Sequence, residues 1–172
     1  DGQKSYSIGC ITLDPQNLNV VWVGTGENVG GRHVAYGDGI YKSEDGGKSW
    51  KNMGLKKSEH LSKIIVHPKN SNIVWVASQG PLWSSGGERG VYKTIDGGKT
   101  WTPLNLEHKH VDDHAIAFHP TDKNFILVGS DGGVYESRDD MKKWRFMANL
   151  PLTQFYKIAV DDSEPFYYVY GG

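Results

Sequence analysis

A ten-residue pattern occurs three times in the chain and limits what it can fold into. The copies are YKSEDGGKSW (41–50), YKTIDGGKTW (92–101) and YESRDDMKKW (135–144). Their closing tryptophans recur about every 40–50 residues, a period typical of solenoids and propellers. A repeat of this length cannot bury its apolar side chains alone, so it has to pack against its neighbours.

A second pattern recurs between the copies of the first. Segments 11–24, 64–78 and 116–130 each contain an apolar run, Asp-Pro or His-Pro, a polar turn with Asn and another apolar run, and 158–172 begins a fourth. Each repeat therefore predicts four short strands, A to D, in which the ten-residue pattern joins strand C to strand D. Four strands per unit of about 40–50 residues indicate a β-propeller blade.

The expected fold is all-β: a single partial β-propeller over residues 1–172, made of four-stranded antiparallel blades. We place blade 1 at about 6–54, blade 2 at 60–106, blade 3 at 110–150 and half of a fourth at 154–172. Propellers close with roughly 4–8 blades. We therefore expect a fragment of a larger propeller, whose remaining blades come from the same or another chain.

Composition excludes two classes of partner. The chain has 172 residues, with 19 Lys and Arg against 20 Asp and Glu, so no net field attracts nucleic acid. No apolar run approaches the roughly 20 residues that cross a bilayer, so we expect no membrane insertion. The single cysteine excludes an internal disulfide.

The repeated pattern, Ser/Thr-x-Asp-x-Gly-x-Ser/Thr-Trp, suits a tight hairpin. An Asp at a turn accepts backbone N–H groups, Gly permits positive φ, and the Trp packs beneath the turn. A calcium loop is the alternative, but its terminal carboxylate is missing. In the third copy Met141 replaces Gly and Lys143 replaces the hydroxyl, so that turn is expected to be looser or differently closed. The predicted structural residues are Ser43, Asp45, Gly47, Trp50, Thr94, Asp96, Gly98, Trp101, Ser137, Asp139 and Trp144.

This pattern resembles the Asp-box of bacterial neuraminidase repeats, found in sialidases, xyloglucanases, sortilin-type receptors and photosystem II assembly propellers. The segments around GDGIYKSEDGGKSW, HVDDHAIAFHP and GSDGGVYESRDD extend the similarity to bacterial proteins with a sortilin-type propeller domain. The resemblance implies the fold and a periplasmic or secreted location. It does not imply one activity, because the family contains both enzymes and binding proteins.

Strand order predicts which end of the blades carries function. In an antiparallel blade the A–B turns and the boxes share one end, whereas the irregular B–C and D–A connections share the other, where binding and catalysis usually lie. In HKHVDDH, a strand beginning early would place His110, Asp112 and His114 on one side, where they could hold a divalent metal. The alternative is a polar strand entrance with His108 and Asp113 solvated. No other cofactor is expected.

Other loop residues are candidates for catalysis or binding. Glu27 and Asp112 are the candidate catalytic carboxylates, and local ion pairs that order the loops are the alternative for such groups. Aromatic rings here could stack on sugars or anchor a peptide, or could simply pack. The ligand-binding candidates are Arg32, Tyr36, Trp83, Arg89, Gln154 and Tyr156.

Two functions fit the sequence. The first is a non-catalytic ligand-binding or scaffold propeller that recognises a protein, peptide or glycan on its loop end. The second is a glycoside hydrolase of the xyloglucanase-like Asp-box class, which needs two carboxylates about 5–10 Å apart across an open groove.

Overall fold

A computed structural model of the chain describes residues 2–5, 7–28, 34–104, 107–122, 124–148, 158–161, 163–166 and 168–171. The described residues form strands and no helix. Blade 1 consists of β1 (Ile8–Asp14), β2 (Asn17–Thr25), β3 (Ile40–Ser43) and β4 (Lys51–Asn52). Blade 2 consists of β5 (Leu61–His67), β6 (Asn70–Ser78), β7 (Gly90–Thr94) and β8 (Thr102–Pro103).

The second half of the chain continues the same series. Blade 3 consists of β9 (Asp113–Phe118), β10 (Ile126–Ser130), β11 (Gly133–Ser137) and β12 (Arg145–Phe146). A hairpin of β13 (Ile158–Val160) and β14 (Val169–Gly171) follows. None of the described segments is a helix able to span a membrane.

Each of the three complete sheets is an antiparallel meander in which consecutive strands are neighbours. The strand register repeats as well. The first box residue of each blade lies opposite an apolar residue of the second strand, in the pairs Val21–Ser43, Val74–Thr94 and Ile126–Ser137. The predicted fold class, all-β with four-stranded propeller blades, is confirmed.

The apolar cores lie between blades, not within them, because alternate residues of one strand face opposite neighbours. We call the face that packs on the preceding blade the leading face, and the face that packs on the following blade the trailing face. The first core joins the trailing face of blade 1 to the leading face of blade 2, through Val20, Trp22, Ile40, Leu55, Leu61, Ile64, Val66, Val74 and Val76. Each such side chain contributes roughly 1.5–3 kcal/mol when fully buried.

The second core joins blades 2 and 3 in the same way. Trp75 and Val91 of blade 2 pack on blade 3 through Ile116, Ile126, Val128, Tyr135, Met141 and Trp144. Trp75 and Phe118 have ring centroids 4.7 Å apart. The repeat therefore stabilises the chain by neighbour contacts, as in other repeat proteins.

Candidate functional site

The first two Asp-boxes are closed turns whose carboxylates serve the backbone. Asp45 Oδ1 accepts the N–H groups of Lys48 and Ser49, both at 2.9 Å, and its Oδ2 accepts the Ser49 hydroxyl at 2.6 Å. Ser43 Oγ accepts the Gly47 N–H at 2.8 Å. The second box repeats this arrangement with Thr94, Asp96, Gly98 and Thr100.

These hydrogen bonds keep the box carboxylates ionised. The Ser49 hydroxyl and N–H hold the pKa of Asp45 well below its usual range, and Thr100 does the same for the pKa of Asp96. A carboxylate that accepts several donors is a poor proton donor at neutral pH. These hydrogen bonds therefore stabilise the hairpin turn.

The third box, expected to be looser or differently closed, keeps the backbone hydrogen bonds of the other boxes but lacks their second hydroxyl bond. Met141 N–H donates to Ser137 Oγ at 2.9 Å, and Lys143 N–H donates to Asp139 Oδ1 at 2.9 Å. Asp140 and Met141 adopt positive φ, 58° and 64°, where the other boxes have glycines. Asp enters this region more readily than most residues, and the Met141 side chain is buried in the core between blades 2 and 3. Because Lys143 has no hydroxyl, it cannot make the bond that Ser49 makes to the carboxylate of the first box.

The box tryptophans were expected to pack beneath their own turn. Trp101 also contacts the neighbouring blade. Trp101 Nε1 donates to the Met53 carbonyl of blade 1 at 2.8 Å. Its ring meets Trp22 edge-on, with centroids 6.3 Å apart. A Cβ at Gly98 would lie 2.7 Å from the Trp22 ring, so glycine also allows this close approach. The second box thus contributes to the contact between blades 1 and 2, and Met141 and Trp144 of the third box lie in the core between blades 2 and 3.

At the opposite end, which we call the loop end, Arg89 organises the connection 79–89. Its Nη1 donates to the Gln79 carbonyl at 2.8 Å and also to Asp112. Its Nη2 donates to the carbonyls of Ser84, at 2.9 Å, and Pro81. A Cβ at Gly80 would collide with the Arg89 side chain, so the glycine leaves room for it. Arg89, a predicted ligand-binding residue, uses these donors to hold its own loop and to tie it to blade 3.

A second polar chain crosses all three blades at the loop end. Gln79 Nε2 lies 2.9 Å from Asn28 Oδ1 of blade 1 and 2.6 Å from His114 Nδ1 of blade 3. His114 Nε2 lies 2.8 Å from Asp131 Oδ1. Asn28 Nδ2 donates to the Ser62 carbonyl of blade 2 at 3.2 Å. Sequence reasoning missed Gln79 and Asp131, although both follow directly after strand B.

The structure does not assemble the predicted metal site. Asp112 is paired with Arg89, His114 with Gln79 and Asp131, and His110 Nδ1 accepts the Asp112 N–H at 3.2 Å. Among the described residues, no three His, Cys, Asp or Glu side chains are grouped to hold a metal ion. The expected alternation fails because β9 begins only at Asp113, opposite Ser130. Blade 3 has a two-residue B–C connection, so β10 offers no partner to residues before Asp113.

Asp113 is buried rather than solvated. Its carboxylate forms an ion pair with Lys109, and both side chains are fully inaccessible to solvent. Lys109 Nζ also donates to the His110 carbonyl at 2.7 Å and lies 5.6 Å from the Trp144 ring centroid. Burial raises the pKa of Asp113 to about 6 and lowers the pKa of Lys109. The spacing of four residues would bring side chains together on a helix, but residues 109–112 are not helical, so the sequence contains no sign of this pair.

The remaining candidates differ in exposure. Trp83 and Tyr36 are 67% and 59% exposed. Tyr36 lies edge-on to His60, with centroids 5.7 Å apart, and the buried His60 Nδ1 lies 3.0 Å from the Glu27 carbonyl. The candidates Arg32, Gln154 and Tyr156 lie outside the described residues.

Comparison with solved structures supports the propeller fold. An ancestral GH74 enzyme superimposes with a TM-score of 0.61 and 21% identity, over 82% of this chain and 18% of that one. The GH74 xyloglucanase from Xanthomonas campestris superimposes with a TM-score of 0.54 and 14% identity, over 84% of this chain and 24% of that one. The chain therefore spans about a quarter or less of these enzymes.

A third similar protein is shorter. YCF48 from Cyanidioschyzon merolae gives a TM-score of 0.57 and 16% identity, over 92% of this chain and 48% of that one. A structure described as YCF48 bound to D1 peptide gives 0.50 and 17%, over 81% and 40%. At these identities the similarity establishes the fold alone.

The sequence itself identifies the family. No curated protein matches it significantly. The model of the Sortilin-Vps10 family, described as sortilin, neurotensin receptor 3, matches residues 38–166, which include all three boxes. The chain belongs to the Sortilin-Vps10 family of β-propellers.

Proposed function

We propose that the chain is part of a non-catalytic β-propeller that recognises a protein, peptide or glycan at its loop end. The observation that carries this proposal is the exposed Trp83 on a loop that Arg89 fixes through the carbonyls of Gln79, Pro81 and Ser84. An indole on a fixed loop gives a large contact area at little entropic cost, as in the aromatic anchors of binding surfaces. Tyr36 adds a second exposed ring.

Two of the described carboxylates, Asp112 and Asp113, favour binding over acid–base catalysis. Asp112, a candidate acid or base, is engaged by Arg89. Asp113 has the raised pKa that a general acid needs, but its side chain is inaccessible to solvent. The hydrogen bonds of Glu27 involve its main chain and give no evidence about its carboxylate: its N–H donates to the Ala35 carbonyl, and its own carbonyl lies 3.0 Å from His60 Nδ1. A similar propeller solved with a peptide, YCF48, supports a peptide among the ligand classes.

Binding assays on peptide and glycan arrays test this proposal. For the best ligand, Trp83→Ala is expected to weaken affinity at least tenfold, about 1.4 kcal/mol, and Tyr36→Ala by less. The matched control is Ile95→Ala, because Ile95 is equally exposed but lies in the second box at the other end. Equal affinity for the Trp83→Ala and Ile95→Ala variants would exclude the loop end as the binding surface.

Glycoside hydrolysis is the second candidate, because GH74 enzymes are among the similar structures. If the protein is a glycoside hydrolase, Glu27 and Asp112 would be the acid and base. A β-glucan such as xyloglucan would be the substrate. Glu27→Gln and Asp112→Asn would then each lower turnover at least 100-fold. Absence of turnover by the whole propeller at high protein concentration would reject it.

We also propose that the protein works outside the cytoplasm, in the periplasm or secreted. The support is the resemblance to exported sortilin-type propellers, and fractionation of the source cells with an antibody to the chain tests it. Detection only in the cytoplasmic fraction would contradict this location.

A further inference from the structure

Two residues hold the B–C connections of the blades that precede them, the irregular segments between the second and third strands. They are His60, just before β5, and Asp112, just before β9. Their positions are equivalent, because β5 and β9 each have a β-bulge directly after their first residue. Both side chains reach back across a blade boundary at the loop end.

In blade 1 the B–C connection is held by the segment that ends at His60. The His60 Nδ1 donates to the Glu27 carbonyl at 3.0 Å, because a carbonyl oxygen can only accept. The carbonyl of Glu59 accepts the Gly37 N–H at 2.7 Å. Next to Gly37, the exposed Tyr36 ring lies edge-on to the buried imidazole, with centroids 5.7 Å apart. His60 therefore supports both the connection and the ring that projects from it.

In blade 2 the B–C connection is held by Asp112 through Arg89. Asp112 accepts a hydrogen bond from Arg89 Nη1, which orients the guanidinium. Arg89 Nη2 donates to two carbonyls, those of Pro81 and Ser84. The exposed Trp83 lies between these two residues in the sequence, so the backbone on both sides of it is held. Asp112, a residue of blade 3, thus supports a ring of blade 2.

The two connections also bond to each other, so their rings belong to one surface. Gln79 Nε2 donates to Asn28 Oδ1 at 2.9 Å, and the Gln79 N–H donates to the His60 carbonyl at 3.0 Å. These bonds join the connection that carries Trp83 directly to the one that carries Tyr36. The spacing of the two rings is therefore set by the packing of blade 1 on blade 2.

The surroundings of both rings favour apolar ligand groups over sugar hydroxyls. Val34 and Ala35 come before one ring, and Pro81 and Leu82 come before the other. The arginine and aspartate that support the second ring are engaged with each other, so they do not offer a sugar their paired hydrogen bonds. An extended peptide presents apolar side chains at regular intervals and has no internal hydrogen bonds that oppose its docking. This surface therefore fits a peptide.

We propose that Tyr36 and Trp83 are two subsites for one extended peptide that spans blades 1 and 2, with His60 and Asp112 as their positioning residues. Each ring takes one apolar or aromatic side chain of the peptide. Because both rings are held before the peptide arrives, the second contact forms at a high effective concentration once the first is made. This assignment rests on the proposed function, since it names the ligand class of the same loop end.

A random library of peptides of about 12 residues, which reach up to about 40 Å when extended, tests the assignment. The probe is the strongest binder, scanned with alanine against the unchanged protein and two variants. Trp83→Ala should weaken this peptide at least tenfold and cancel the effect of one peptide side chain. Tyr36→Ala should weaken it at least threefold and cancel the effect of a different side chain. Either half of the peptide alone should bind at least 100-fold more weakly than the whole.

Asp112→Ala and His60→Asn test the positioning roles, and each should weaken the peptide at least threefold. His60→Asn keeps a donor for the Glu27 carbonyl but removes the ring next to Tyr36. Asp112→Ala should have no further effect once Trp83 is alanine, and His60→Asn none once Tyr36 is alanine, because the supported ring is then gone. A general loss of stability would weaken binding in every background, so an effect that persists would reject the positioning roles.

Three results would overturn the two subsites while leaving the proposed function intact. They are coupling of both rings to the same peptide side chain, loss of affinity for Trp83→Ala but not for Tyr36→Ala, and loop-end binding of glycans but of no peptide. If Trp83→Ala instead binds its ligand as tightly as the Ile95→Ala control, the proposed function itself fails.

Discussion

Asp113 and Lys109 show how one buried ion pair can set a pH dependence. Burial favours the neutral carboxyl, so the folded-state pKa of Asp113 is about 6, above the unfolded value near 3.8. Between these values the folded chain binds more protons than the unfolded chain. The stability contributed by this group is therefore complete below about pH 4 and is lost as the pH rises through 6.

The Asp113→Asn variant isolates this contribution, because an amide does not titrate. The free energy of unfolding of the wild type, minus that of Asp113→Asn, should fall by roughly 1–3 kcal/mol between pH 4 and pH 6.5. Chemical denaturation of both proteins at several pH values measures this difference in unfolding free energy. A difference that is constant with pH, or rises, would contradict the raised pKa.

At Met141, burial of the side chain compensates for an unfavourable backbone conformation. Its φ of 64° strains a residue with a Cβ, which costs about 1–3 kcal/mol, yet its side chain is buried against blade 2. Removing a buried Met side chain costs about 2–5 kcal/mol. Met141→Gly should therefore destabilise the chain by about 1–3 kcal/mol in thermal or denaturant unfolding. Asp140→Asn, which suits the same backbone region, should change stability by less than about 0.5 kcal/mol. A more stable Met141→Gly variant would show that strain dominates.

At the scale of single elements, the connection 79–89 depends on Arg89. This side chain bonds three carbonyls of the loop and Asp112, so Arg89→Ala leaves those acceptors without a donor. Hydrogen exchange across 79–89 should then accelerate at least tenfold, whereas β6 and β7 keep most of their protection. Arg138→Ala is the control, because Arg138 is an exposed arginine of the third box. Unchanged exchange in the loop would mean that its glycines and Pro81 define its shape alone.

The sequence predicted elements better than it predicted contacts. Strands β1 to β12 follow from alternating apolar residues and repeated turns, which are local properties. The partners of Asp112 could not be read locally, because Arg89 reaches it from another blade. The start of β9 depends on the short connection after β10 and not on its own residues. The sequence could not show that the third box keeps its backbone hydrogen bonds without a glycine, because Met141 gains burial against blade 2, which compensates for the strained backbone.

At the scale of the whole molecule, blades 1 to 3 form a linear series held by two equivalent interfaces. Trp22 occupies the centre of the first interface and Trp75 that of the second. In such a series, stability is close to a sum of blade terms and nearest-neighbour terms. A change at one interface should therefore affect the blades on its two sides more than the distant blade.

Trp22→Ala and Trp75→Ala form a matched pair that tests this additivity. Each should cost about 3–5 kcal/mol, because each empties a buried indole site between two blades. Native-state hydrogen exchange should separate them. Trp22→Ala should lower protection most in β2 of blade 1, which packs on only one other blade in the described chain, and least in β10 of blade 3. Trp75→Ala should lower protection most in β10 of blade 3 and least in β2 of blade 1. Equal loss of protection in all three blades, for both variants, would mean that the blades unfold as one cooperative unit.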